Sequence, residues 1–128
     1  MITYKTLSVT TASICITLSI FLLFIPEPLF FIFGVAGNDS AYFLSRRASM
    51  LFVGYSAISF LSRNDPPSAS RQSILAGIGI SMLGLFILGL FEFLRGFAGP
   101  GILLAMMVEL FLALCYLSIW RRYKKGEA

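Results

Sequence analysis

Four long apolar stretches alternate with short polar punctuation along the chain. The first runs from about residue 6 to residue 25 and stops at Pro26-Glu27-Pro28, where two closely spaced prolines cannot continue a helix. A second begins at Asn38-Asp39-Ser40, whose short polar side chains suit a helix N-terminus, and reaches about residue 62 before the turn signal Asn64-Asp65-Pro66-Pro67. The third spans about 72–94. Gly96-Phe97-Ala98-Gly99-Pro100-Gly101 then reverses the chain, with Pro100 placed for a helix start, and a fourth stretch covers about 102–120.

Each stretch has the length a helix needs to cross the hydrocarbon core of a bilayer, about 20 residues. Lipid offers no hydrogen-bond partners to an open backbone, so the pattern predicts an all-α membrane protein: one transmembrane domain over 1–128, an up-down-up-down bundle of four spans. The intervening block Pro28 to Gly37, with Leu29-Phe30-Phe31-Ile32-Phe33 at its centre, is too short to cross. It reads as a short interfacial helix with Pro28 in its first turn and Gly37 after its end. The first apolar run exceeds the h-region of a signal peptide, about 7–15 residues, and is expected to stay as a span.

Composition agrees. The 128 residues are 58% hydrophobic and only 12% charged, too apolar for a soluble domain of this length. The ten basic residues set the orientation: with the N-terminus inside, Lys5, Arg63, Arg71, Arg121, Arg122, Lys124 and Lys125 are cytoplasmic, and only Arg46, Arg47 and Arg95 lie outside. Both termini are therefore expected on the cytoplasmic side. The net charge of +4 then belongs to topology and to a Trp120-Arg121-Arg122-Tyr123-Lys124-Lys125 interface anchor rather than to nucleic-acid binding. The bilayer itself is the expected partner.

Metal and cofactor chemistry find little support. The chain has no His, no CxxC and no carboxylates at ligand spacing, so no zinc, haem or di-iron site and no cofactor is expected. Cys15 and Cys115 read as small packing residues rather than as a disulfide.

Small and polar residues recur at helical spacing. Thr6, Thr10, Ser13 and Thr17 mark one face of the first span, beside a strip of Ser8, Ala12, Cys15 and Ser19, and this face is expected to meet another helix. The second span answers with Ser45, Ser49, Ser56 and Ser59, and the third with Gly77, Ser81 and Gly84. Gly77 and Gly79 are expected to allow close helix approach.

The charges inside the spans carry the most information about function. Glu109 lies among Met106-Met107-Val108 and Leu110-Phe111, where an unpaired carboxylate costs several kcal/mol or takes up a proton. Arg46 and Arg47 fall roughly 6–8 Å from the midpoint of their own span, at a height comparable with Glu109. One of the two is therefore expected to face Glu109 across the interior. Glu92 and Arg95, one turn apart, are placed to pair on one face. The expected site is an outward-opening polar pocket of Arg46, Arg47, Glu92, Arg95 and Glu109.

The segment Ser45-Arg46-Arg47-Ala48-Ser49-Met50-Leu51-Phe52-Val53-Gly54, followed by Phe60-Leu61-Ser62-Arg63, resembles small four-helix bacterial inner-membrane families, among them DoxX-like proteins. The resemblance implies an inner-membrane location and carries no single activity. Three function classes stay open. The first is a bundle that binds or moves a small solute, a lipid head group or a proton. The second is an accessory or scaffold subunit of a membrane complex. The third is a membrane enzyme using Glu92 and Glu109, for which no nucleophile–base pair is in view. A bundle this small, if it transports, is expected to do so as a dimer or larger ring.

Overall fold

The computed structural model describes residues 2–124 and, among them, contains only helices: α1 (Tyr4–Phe24), α2 (Glu27–Phe33), α3 (Asp39–Leu61), α4 (Ala69–Leu94) and α5 (Ile102–Lys124). The boundaries follow local chemistry. Thr3, Asn38 and Ser68 cap α1, α3 and α4 by accepting from the backbone N–H three residues on, at 3.2, 2.8 and 3.2 Å. Helix α2 carries Pro28 in its first turn but ends three residues earlier than the sequence suggests. Gly34, not Gly37, takes the left-handed cap, at φ +66°. Lys125, counted above among the tail cations, lies outside the described residues.

Helices α1, α4 and α5 are long and apolar enough to cross a membrane. Helix α3 has the length, 23 residues, but Arg46, Arg47 and its serines make it less apolar than the other three. The chain is thus an all-helical membrane protein with three helices able to span.

The long helices associate in two antiparallel pairs. On α1 and α3, Tyr4 Oη lies 2.9 Å from Ser62 Oγ, Ser56 Oγ donates to Ala12 O at 2.8 Å, and Ser45 Oγ donates to Leu22 O at 2.7 Å. Each step forward along α1 is matched by a step back along α3, which fixes the register. In the second pair, Gly79 packs on Tyr116 and Gly89 on Met106, again with opposed numbering. Both described termini and the 62–68 reversal therefore share one end of the molecule, and α2 with the 95–101 reversal shares the other.

The small-residue strip Ser8, Ala12, Cys15 and Ser19 is buried, as are Ser45, Ser49 and Ser59 of α3. The neighbouring stripe does not meet a helix: Thr6, Thr10, Ser13 and Thr17 are all exposed. The reason is local. Ser13 donates to Val9 O at 2.9 Å and Thr17 to Ser13 O at 2.8 Å, so their hydroxyls are satisfied within α1 and need no partner helix. Gly79 does support close packing, whereas a Cβ at Gly77 or Gly84 would meet nothing within 4 Å.

The two pairs are joined most tightly near the termini. Tyr4, Leu7, Leu75, Ile78, Met82, Leu112, Ala113, Tyr116 and Ile119 form the buried core there. Tyr116 Oη donates to Thr11 Oγ1 at 2.8 Å across it, and the Arg71 guanidinium lies 4.1 Å from the Tyr4 ring centroid. Toward the opposite end the pairs diverge.

Candidate functional site

Where the pairs diverge, the interior is hollow. The cavity has two adjoining lobes of about 210 and 410 Å³, and Leu18 of α1, Leu29 and Phe33 of α2, Phe52 of α3, Leu85 of α4, and Ala105 and Glu109 of α5 line both. The smaller lobe extends to Ile14, Cys15, Met82 and Leu112, against the buried core. The larger extends toward α2 and the reversal, to Ala48, Leu88, Gly89, Glu92, Phe97 and Ala98.

Helix α2 closes part of the hollow because of an unusually close backbone approach. Gly99 N donates to Phe33 O at 2.7 Å, and a Cβ placed on Gly34 would stand 3.0 Å from Gly99 Cα. A Cβ on Gly101 would collide with the Ile32 carbonyl. Glycines at 34, 99 and 101 thus let the interfacial segment and the α4–α5 reversal touch main chain to main chain, which seats Leu29 and Phe33 over the cavity.

Of the residues expected to form the site, Glu92 and Glu109 line the larger lobe, and Glu109 lines both. Glu109 is half-buried, near the middle of α5. Glu92 is about 9 Å further along the pair axis by helical rise, and is held by Arg95: Nη2 stands 2.5 Å and Nε 3.1 Å from Glu92 Oε2. The Arg95 guanidinium also sits 5.1 Å from the Phe97 ring centroid. That pair is partly exposed and belongs to the cavity rim.

The arginines of α3 are placed differently from the expectation. Arg46 and Arg47 are both exposed, and neither makes an ion pair with Glu109; among the described residues the one ion pair is Glu92–Arg95. Arg47 instead stands 5.9 Å from the Phe43 ring centroid on its own helix. Height along a helix fixes depth but not rotational phase. Ser45 and Ser49 turn the buried face of α3 inward, with Ala48 and Phe52 on the cavity, and Arg46 and Arg47 fall on the other side of the helix. The cavity is therefore apolar, with Glu109 in its lining and the Glu92–Arg95 pair at its rim, while Arg46 and Arg47 stand outside it.

Several lining residues were not singled out by chemistry, and helical spacing marks them. Phe52 lies three residues after buried Ser49, and Ala105 four before Glu109, each on the same face as its neighbour. No group of His, Cys, Asp and Glu among the described residues is arranged to hold a metal ion, and both cysteines are free. No family model, curated protein or solved structure matches this chain.

Proposed function

We propose that the chain is a four-span membrane protein that binds a small lipophilic solute in the cavity between its helix pairs, with Glu109 as the polar contact. The observation that carries this reading is the hollow itself: a large apolar enclosure reaching a carboxyl group that no basic side chain of the described residues neutralises. A scaffold reading asks for an empty, dry interior with every charge paired, and Glu109 has no ion-pair partner among the described residues. Enzyme chemistry has less support: Cys15 and Glu109 both line the smaller lobe, but the thiol is buried against the core and no nucleophile–base hydrogen bond lines the cavity among the described residues.

Helix α3 serves as the fourth span in this reading. Its outward surface is apolar at Leu44 (62% exposed), Leu51 (69%) and Leu61 (77%), like the outward surfaces of α4 and α5. It also pairs with α1 along nearly its whole length through Ser45, Ser56 and Ser62. Arg46 and Arg47, about two turns into the helix, reach the nearer head-group layer by extending along it. The basic-residue count orients the bundle with its closed, terminal end at the cytoplasm and the cavity in the outer half of a bacterial inner membrane.

Binding of a neutral fluorescent lipophile, 1-N-phenylnaphthylamine, to the purified chain in nanodiscs tests the cavity. A saturable fluorescence rise is expected, lost when Ala105→Phe fills both lobes and kept in Leu51→Phe on the outer surface. Equal binding by both variants refutes the cavity as the site.

A further inference from the structure

Resting on the cavity reading, we infer that the ligand class is a lipophilic organic cation, a positive centre shielded by apolar groups, with Glu109 as its counter-charge. Three independent features of the enclosure converge on this class. Its walls are hydrocarbon, so the ligand's body is apolar. Glu109 faces both lobes with no ion pair among the described residues, so the charge that complements the site is positive. The rings of Phe33 and Phe52 also line both lobes, and aromatic faces attract desolvated cations.

The same features exclude neighbouring classes. A hard inorganic cation asks for six or more oxygen ligands, and among the described residues Glu109 is the only carboxyl group reaching both lobes, Glu92 being held by Arg95. A lipophilic anion would find no basic side chain in the lining, since Arg46 and Arg47, which could have received it, lie outside the cavity. A delocalised or sterically shielded cation loses little hydration on entering hydrocarbon, so one carboxylate and two rings suffice to hold it.

Tetraphenylphosphonium and tetraphenylborate have nearly the same size and shape and opposite charge, so they isolate this inference from the cavity reading. Each is titrated against the full chain in nanodiscs of zwitterionic lipid, by displacement of 1-N-phenylnaphthylamine. The phosphonium is expected to displace the probe at a concentration at least about tenfold below that required of the borate, and Glu109→Gln is expected to abolish the difference, each concentration being taken relative to that chain's own probe affinity. If Glu109→Gln does not yield folded protein by gel filtration, Phe52→Leu provides the second arm, with the phosphonium expected to lose severalfold more affinity than the borate, each taken relative to the variant's own probe affinity. Equal displacement by the two ions, or phosphonium affinity unchanged in the substituted chains, overturns the cation assignment and leaves the cavity reading standing. Absence of any probe binding removes both.

Discussion

Tyr116 and Thr11 are joined by a 2.8 Å hydrogen bond across 105 residues of sequence, and this contact ties α5 to α1 at the one level where the two helix pairs are firmly packed. Both residues are fully buried. Removing the phenolic hydroxyl leaves the Thr11 hydroxyl short of a donor, while the ring still fills its place. Tyr116→Phe is therefore expected to cost about 1 kcal/mol, and Tyr116→Ala, which also opens a cavity, about 3–5 kcal/mol. Thermal or denaturant unfolding in detergent measures both. A double-mutant cycle with Thr11→Val is expected to show coupling for the Phe variant, and additive losses would mean that the bond contributes nothing.

Glycines in this chain separate sharply by what surrounds them. A methyl group on Gly101 meets the Ile32 carbonyl and has no room, so Gly101→Ala is expected to lift α2 from the α4–α5 reversal and to weaken lipophile binding by opening the cavity cover. Gly77→Ala and Gly84→Ala, both in open surroundings inside α4, are expected to leave binding unchanged and to stabilise the helix by up to about 1 kcal/mol each. Protease accessibility of the 25–38 segment and probe affinity distinguish these outcomes. Equal behaviour of all three variants would show that the close approach at Gly101 does not hold the cover.

The contrast between those glycines illustrates what the sequence could reveal. Helix ends were legible because prolines, glycines and short polar caps act within a few residues: Pro26, Asn38 and the 96–101 reversal all mark real boundaries, while α4 begins at Ala69, three residues before the expected 72, because Ser68 caps it. Which face of a helix turns inward was much less legible. Two adjacent stripes on α1 offered hydroxyls at the same spacing, and the chain buried the one with the smaller side chains, since the threonine stripe satisfies itself on its own backbone. The same ambiguity misplaced Arg46 and Arg47, because depth along a helix follows from counting residues while rotation depends on packing between distant segments. Glu109 stood out in the sequence because a carboxyl group in so apolar a run is costly, and the structure sets it in the lining of the cavity.

Accessibility of introduced thiols tests the orientation. In a chain whose Cys15 and Cys115 are replaced by Ala, Pro66→Cys in the α3–α4 reversal is expected to react only with reagent on the cytoplasmic side, and Pro100→Cys in the α4–α5 reversal only with reagent outside. Both positions are exposed, so a negative result reads as sidedness rather than burial. Modification of both from one face would mean that α4, the helix between them, does not cross, whereas labelling of Pro66→Cys only from outside and of Pro100→Cys only from the cytoplasm would mean that α3 does not.

Stability distinguishes a carboxyl group kept for binding from one kept for structure. If Glu109 were half of a buried ion pair with Arg46 or Arg47, removing either partner would strand the other and cost about 3–5 kcal/mol. The structure leads to the opposite expectation. Arg46→Gln and Arg47→Gln each remove an exposed side chain without an acidic partner and are expected to shift stability by less than about 1 kcal/mol. Glu109→Gln replaces a carboxyl group, unpaired among the described residues, with a neutral amide of the same shape, and is expected to leave the unfolding temperature unchanged or to raise it while lowering cation affinity. The measurement is thermal unfolding of the three variants in one detergent, beside probe binding. A loss above about 3 kcal/mol in any of them would establish a structural ion pair and remove Glu109 from the binding site. A gain in stability coupled to a loss of binding is the signature of a group held in the cavity for its ligand.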